Sequence, residues 1–267
     1  MGKCLVTKLK EVVQNDDLLK IGELMIKKKS DDSVVLQLNS LGSNVKTLGS
    51  IATTKNSSKL GTEFPADGYF TMQGKGQIVI SEKYNLTNLL FAEAKNKVFD
   101  FSQFDANSLK YCKNLNNLQI LNDSLSLDLT SLKDLPLSTI EINSVNLTGN
   151  ISEFISKETL QKLNISSPSI NDNVDLSKAA NSLSFFYGQY NKCTWTIDRP
   201  SEAFIISLPY QQLGDYVDAM LINQAKCKAS GNSNKKISVS GNRTTASDEA
   251  ITTLQGKGYT VSVSPAL

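Results

Sequence analysis

Leu115-x-x-Leu118-x-Ile120, Leu137-x-x-Ile140-x-Ile142, Leu160-x-x-Leu163-x-Ile165, Ala180-x-x-Leu183-x-Phe185 and Ser201-x-x-Phe204-x-Ile206 are five occurrences of one phrase within a single stretch. Its second position moves from 118 to 140, 163, 183 and 204, in steps of 22, 23, 20 and 21 residues. A period of this length marks stacked repeats. One residue separates the last two positions of each phrase, which is strand alternation: inward, outward, inward. Leu86-x-x-Leu89-x-Phe91 carries the phrase 29 residues before Leu118, so a longer repeat precedes the regular block.

Each strand offers two inward side chains, whose burial stabilises by roughly 1.5–3 kcal/mol apiece. One repeat cannot offset its own chain entropy in this way, but neighbours that cover one another can. The expectation is a sheet of side-by-side strands in a solenoid. The alternative is an ordinary β-rich domain whose Leu and Ile fall at even spacing.

The phrase resembles the leucine-rich repeat, L-x-x-L-x-L-x-x-N, over about a third of the chain or more. Asp123, Val145, Pro168, Gly188 and Pro209 stand where regular members carry the final Asn, so their buried asparagine ladder is not expected as such. The implied architecture is α/β and β-rich: an N-terminal β-rich segment over 1–80, a leucine-rich-repeat-like solenoid over 81–230, and a C-terminal strand-helix-strand cap over 231–267.

Composition narrows the function. Hydrophobic residues make up 40% of the 267, enough for a substantial core and against wholesale disorder. The 28 basic and 26 acidic residues leave a net charge of +2, and only Lys27-Lys28-Lys29 clusters. Without a basic stripe, nucleic acid is not an expected partner. The chain has no histidine, which removes the usual general base, the commonest metal ligand and every Ser-His or Cys-His pair. An enzyme is therefore not expected; a carboxylate-based hydrolase has only scattered acids in its favour.

Cys4, Cys112, Cys193 and Cys227 lie 108, 81 and 34 residues apart, which fits neither a zinc site nor a small disulfide framework. Free buried thiols, no metal and no cofactor are expected. Met1-Gly-Lys-Cys4-Leu-Val6 shows no signal peptide, and Val6 stands where myristoylation asks for Ser or Thr. No run approaches the roughly 20 apolar residues of a membrane span. The expectation is a soluble protein made in a reducing cytoplasm.

Along the chain, residues 4–9 alternate as a strand, Glu23–Lys27 is preferred as a strand over a helix broken by Gly22, and Val34–Leu38 is a strand. Ser50–Lys59 reads as an exposed loop. Phe70–Met72 and Gln77–Ile80 flank Gln73-Gly-Lys-Gly76 as a hairpin; the glycine pair lacks the third glycine and the helix of a phosphate loop. Asp105 opens a short helix to Cys112, and turns or 3₁₀ pieces are expected in later repeats. Leu213, Tyr216, Val217, Met220, Leu221, Gln224 and Ala225 form one helical face. Ile237-Ser-Val239 is a strand. A helix then begins at Ser247-Asp-Glu249 with Ala250, Ile251 and Leu254 inward, ends at Gly256 or Gly258, and leads to a last strand, Tyr259–Val263.

Asn171-Asp-Asn-Val-Asp175 lacks the glycine and distal glutamate of a calcium loop and reads as a turn. Phe185, Phe186, Tyr187, Tyr190 and Trp195 are the densest aromatic cluster; Phe185 takes the inward phase, leaving one or two of the others for a binding surface or for core filling. Stacked strands also give their outward positions a common face, polar at one end and increasingly apolar at the other. The candidate binding surface on it is Gln119, Glu141, Asn164, Ser184, Phe186, Tyr187, Tyr190 and Ile205. In leucine-rich-repeat proteins this sheet face is the usual binding surface, and the resemblance extends that role to these positions. A dimer or docking contact at the apolar end is the expectation.

Two further stretches carry a second resemblance. Met1-Gly-Lys-Cys4-Leu-Val-Thr-Lys-Leu-Lys10 with Leu18-x-x-Ile21-Gly-Glu-Leu24, and Gly241-Asn-Arg-Thr-Thr-Ala-Ser247-Asp-x-Ala250 with Gly256-Lys-Gly-Tyr-Thr-Val261, look similar to the ends of proteins of gut Bacteroidetes and their crAss-like bacteriophages. The resemblance implies a non-enzymatic virion structural protein, a capsid-decorating or head-fibre component assembled in the bacterial host cytoplasm. Its partners would be capsid and other virion proteins and a second copy of itself, with a dimer favoured. The alternative is a bacterial leucine-rich-repeat adhesion protein recognising a protein or glycan.

Overall fold

The computed structural model describes residues 23–264 except 82, 92–97, 103, 176, 177, 179–181, 190–193, 197–204, 209–215 and 229–234. Its N-terminal strands are β1 (Leu24–Lys28), β2 (Val34–Ser40), β3 (Asn44–Gly49), β4 (Ala52–Lys55), β5 (Ser58–Lys59), β6 (Glu63–Pro65), β7 (Gly68–Gln73) and β8 (Gly76–Ile80). Then come β9 (Leu86–Phe91), β10 (Phe99–Asp100), β11 (Asn117–Leu121), β12 (Ser126–Asp128), β13 (Thr139–Asn143), β14 (Asn146–Thr148) and β15 (Lys162–Ser166). They are followed by β16 (Asn173–Asp175), β17 (Phe185–Gln189), β18 (Thr194–Thr196) and β19 (Ile205–Leu208). Helix α1 (Tyr216–Gln224), β20 (Lys235–Ser240), helix α2 (Asp248–Gly256) and β21 (Tyr259–Ser264) complete an α/β, strand-rich fold.

β9, β11, β13, β15, β17, β19, β20 and β21 lie side by side in chain order, each parallel to the one before, within a 12-stranded sheet. Their register aligns Leu89, Leu118, Ile140, Leu163, Phe186, Ile206, Ile237 and Val261. All are buried except Val261, which is half-buried. Parallel neighbours need a crossover of a dozen or more residues, and each repeat supplies one. The crossovers carry 3₁₀ turns at Ala106–Tyr111, Leu129–Leu132 and Ile151–Glu153, together with the parallel pairs β12–β14 and β16–β18. From these short strands Leu127, Leu147 and Val174 are buried in the same core.

The phase of β17 differs from the sequence reading. Phe186 pairs with Leu163 and is buried, whereas Phe185 pairs with Lys162 and is 37% exposed. The phrase is thus Leu183-x-x-Phe186-x-Gly188, with buried Leu183 entering the strand as Leu115, Leu137 and Leu160 do. A strand's side-chain period is two, so this shift of the phrase by three residues, an odd number, exchanges its faces. In β19 the inward residues are Ile206 and Leu208: the phrase sits two residues later than the sequence reading, and the faces are unchanged.

The final Asn of the leucine-rich-repeat pattern has a substitute one position earlier. Asn122, Ser144 and Ser167 follow their strands directly and are buried. Asn122 Nδ2 donates to Phe99 O at 3.1 Å, and Ser144 Oγ donates to Leu125 O at 2.5 Å. Ser167 and Ser169 hydroxyls lie 2.8 Å apart, and Ser169 Oγ donates to Leu147 O at 2.6 Å. Carbonyls of one turn are therefore satisfied by short polar side chains of the next, as buried backbone requires.

The N-terminal strands are antiparallel and form two layers. β2, β7, β4 and β5 extend the 12-stranded sheet beyond β9, while β10, β1, β8, β3 and β6 form a second, five-stranded sheet. Leu36, Leu38, Phe70 and Met72 of the first are buried, as are Leu24, Ile26, Val45, Ile78 and Ile80 of the second. Phe91, Phe99, Phe101 and Phe104 join this layer pair to the repeats, with edge-on ring contacts at 5.0–5.4 Å.

Two expectations here need correction. β7 and β8 are not a hairpin, because β7 pairs with β2 and β4 while β8 pairs with β1 and β3. The chain crosses between sheets at Gly74 and Gly76, against the crossing from β3 to β4, where Ser50 N donates to Lys75 O at 2.9 Å. A Cβ on Gly74 (φ +98°) would stand 2.2 Å from Ser50 O, and one on Gly76 would stand 1.8 Å from Leu48 O. Those glycines permit the close backbone approach, not a tight turn. Ser50–Lys59 contains the hairpin β4–β5, turned by left-handed Asn56 and Ser57. Its polar residues signalled exposure, which hid the pairing.

The strand read at Glu23–Lys27 is Leu24–Lys28, and the strand read at residues 4–9 lies outside the described residues. At the other end, α1 buries Val217, Met220, Leu221 and Gln224, and α2 buries Ala250 and Leu254. Thr244, not Ser247, caps the approach to α2 by accepting from Ala246 N at 3.2 Å. Gly258 (φ +86°) follows α2, and β21 pairs parallel to β20.

Gly74→Ala should lower stability by more than about 2 kcal/mol, because its Cβ meets backbone in a left-handed conformation. Gly256→Ala, with nothing within 4 Å of its Cβ, should change it by about 0.5 kcal/mol or raise it. Urea midpoints of the two variants measure the contrast.

Candidate functional site

Two rows of outward positions on the large sheet carry the sequence-derived residues. Gln119, Glu141, Asn164 and Tyr187 are neighbours in register on β11, β13, β15 and β17, and all are half-buried. Asn117, Thr139, Lys162, Phe185, Ile205 and Lys236 form the second row, from β11 to β20. The sheet therefore brings together Gln119, Glu141, Asn164, Tyr187 and Ile205 from the sequence-derived set. Ser184 is half-buried just before β17, and its N–H donates to Gln161 O at 2.9 Å. Phe186 is a correction: it faces the core at 1% exposure, and Phe185 takes its place on the face. Tyr190 lies outside the described residues.

The polar part of the face is held internally. Asn117 Nδ2 donates to Asn88 Oδ1 at 2.7 Å, Asn88 Nδ2 to Asn39 Oδ1 at 3.0 Å, and Asn39 Nδ2 to Asp67 Oδ1 at 3.3 Å. This amide chain crosses from the parallel strands into antiparallel β2. The Leu86 phrase marks Asn88 as outward, but no spacing in the sequence announces Asn39, since β2 approaches β9 from outside the repeat. Lys162 Nζ meets Glu141 Oε1 at 2.5 Å across β13 and β15. A partly exposed cross-strand pair of this kind contributes up to about 1 kcal/mol.

The Phe185–Ile205 patch is an island within its row and not the end of it. Phe185 and Ile205 are register partners, with Lys162 on one side and Lys236 on the other. Beyond them, β20 and β21 return to polar outward residues: Ser238, Thr260 and Ser262. The gradient read from five strands ends at these two further strands.

Among the described residues no three His, Cys, Asp or Glu side chains are grouped to hold a metal ion. Asp31 pairs with Lys75 at 3.0 Å in an exposed turn. Asp172 Oδ2 accepts from Ser152 N at 2.7 Å, so the Asn171–Asp175 segment ties two repeats together. Cys112 and Cys227 are free and buried; Cys4 and Cys193 lie outside the described residues. Burial also pushes the Lys83 amine down, opposed by Asp105 and Cys112, while its Nζ donates to Ser108 Oγ at 2.6 Å. No helix among the described residues is long and apolar enough to cross a membrane.

Compared with family models, curated proteins and solved structures, the chain finds no match.

Burial pushes the Cys112 thiol up to about 12, with Lys83 pulling the other way. The unfolded thiol ionises near 9.0, so the stability held by the buried neutral form is lost as pH climbs from there towards 12. Lys83 acts in the opposite sense: below its ordinary 10.5 the unfolded chain holds the proton more readily. Cys112→Ala should therefore flatten the fall of the urea midpoint above pH 9 relative to wild type, and equal slopes would contradict the assignment.

Proposed function

We propose that the protein is a non-catalytic docking protein built as a leucine-rich-repeat-like solenoid. Residues 81–230 form the solenoid, 1–80 a β-rich segment at one end, and 231–267 a strand-helix-strand cap. The observation that carries the docking role is the Phe185–Ile205 pair, outward on the sheet face and flanked in its row by Lys162 and Lys236. Apolar surface in the middle of a polar rim is the anatomy of a protein-protein contact. Lys162 and Lys236 beside it favour a partner with acidic groups around an apolar pocket.

The resemblance at the chain ends supplies the setting: a capsid-decorating or head-fibre component of a crAss-like bacteriophage virion, docked on capsid and self-associating. Adhesion to a glycan is the second reading, favoured by Asn164 beside Tyr187 in one row, amide and aromatic groups suited to sugar hydroxyls and ring faces. Loss of oligosaccharide binding in Tyr187→Ala, read by calorimetry, would move the weight to it.

Quantitative mass spectrometry of gradient-purified particles should find this protein at a fixed ratio to the major capsid protein. Phe185→Asp with Ile205→Asp should reduce its incorporation at least about tenfold without changing its circular dichroism, since a central apolar pair carries more than about 1.4 kcal/mol. Absence from particles removes the virion setting; full incorporation of the double variant removes this face as the dock.

A further inference from the structure

Two buried polar side chains meet where the chain enters the repeats, and the docking face does not use them. Lys83 stands in the turn before β9 and is 1% exposed; Ser108 stands in the Ala106–Tyr111 turn and is 5% exposed. Lys83 Nζ donates to Ser108 Oγ at 2.6 Å, and among the described residues it forms no ion pair. A buried amine whose partner is a hydroxyl and not a carboxylate gains too little to offset the desolvation of its charge. Burial accordingly pushes Lys83 down, with Asp105 and Cys112 opposing. Its neutral form carries a lone pair beside the hydroxyl.

Ser108 is also part of the wall of a cavity of about 240 Å³, formed with Asp105, Asn107, Lys110 and Tyr111. Those four are exposed, so the cavity opens to solvent and Ser108 is its buried member. The space suits a small molecule and is too small for a folded partner. One acid and one lysine line it, so it asks for no net charge. Ser108 Oγ donates to Asp105 O at 2.6 Å. Rotation about its C–O bond turns that proton to Lys83 Nζ, since a hydroxyl proton swings to suit its acceptors. A hydroxyl with a base at hydrogen-bond distance and open space beside its residue is the arrangement of an activated nucleophile. Cys112 is the poorer nucleophile nearby, because burial pushes its thiol up to about 12.

We propose that Ser108 is an acyl-acceptor site, with Lys83 as its general base, that takes a small acyl group from an activated ester or thioester. Lys83 Nζ takes the proton of Ser108 Oγ as Oγ bonds to the acyl carbon. The bond from that carbon to the leaving oxygen or sulfur then breaks, and the leaving group takes the proton back from Lys83. The products are an ester on Ser108 and a free alcohol or thiol. One acyl group accepted per chain is a modification and not turnover, so the site goes beyond the docking role of Phe185 and Ile205 without replacing it.

The full chain should be treated with a small alkyl fluorophosphonate, where Oγ bonds to phosphorus, fluoride leaves and Lys83 keeps the proton. Mass spectrometry should find one phosphonyl group per chain, mapped to Ser108, and none in Ser108→Ala. Nitrophenyl acetate should acetylate the same hydroxyl. Lys83→Met keeps the buried stem and removes the base, and should slow both reactions about a hundredfold or more while circular dichroism stays unchanged. In wild type the rate should rise between about pH 7 and 10 as the amine loses its proton. Asp105 and Cys112 are the titratable groups that act on Lys83, and the thiol titrates only towards about 12, beyond that range. Ser108 left unmodified by either reagent, modification of Cys112 in its place, or Lys83→Met reacting at the wild-type rate would overturn the proposal. Should Lys83→Met not fold, a wild-type rate that is flat across that pH range overturns it equally.

Discussion

Each strand of the repeats between Leu86 and Leu208 turns two positions inward, and neither is covered until the next strand lies beside it. Alignment of these inward positions from strand to strand is the constraint on which the rest depends. Leu118, Ile140, Leu163 and Phe186 stack in one column because their strands are in register, and the crossovers then have to close on the far side of that column. A strand out of phase by one residue would send its apolar side chains into water and its polar ones into the core. The burial of Phe186 and exposure of Phe185 follow from this: β17 takes the phase that keeps the column intact.

The same stacking creates a polar problem and solves it locally. Chain leaving each strand turns into the core, where its carbonyls have no strand partner. Asn122, Ser144 and Ser169 donate to carbonyls of the preceding turn, so each repeat finishes the hydrogen bonding of the one before. Lysines serve similarly at the C-terminal unit, where Lys235 Nζ reaches Lys257 O and Lys257 Nζ reaches Ala225 O, both at 2.7 Å. Charge on a long stem reaches carbonyls that short side chains cannot, while the stem itself packs with apolar neighbours.

Much of this was legible in the sequence where one residue type at one spacing had a single physical meaning. The phrases at Leu118, Ile140 and Leu163 fixed both period and facing, and Ala250, Leu254 and Gly258 outlined the last helix. The reading failed where two residues fitted one role. Phe185 and Phe186 are adjacent and equally apolar, so only the neighbouring strand decides between them. Gly74 and Gly76 read as a turn because glycine serves turns and close approaches alike. Asn39 escaped because its partner Asn88 comes from a distant strand of opposite direction. The outer face was half legible for the same reason: its rows follow from the repeat, but its apolar island is bounded by β20, which joins after a longer interval.

Intervals between strands vary while the sheet does not. From Leu89 to Val261 the aligned positions are separated by as few as 20 residues, between Phe186 and Ile206, and by as many as 31, between Ile206 and Ile237. The surplus is taken up in the crossovers: by the segment of the Phe101–Phe104 cluster after β9, and by α1 after β19. Extra chain there adds only a slowly growing closure cost. Sequence can thus be gained or lost on one side of the molecule with no shift of the residues presented on the other, so lineage-specific insertions and the composition of the outer face are free to change independently.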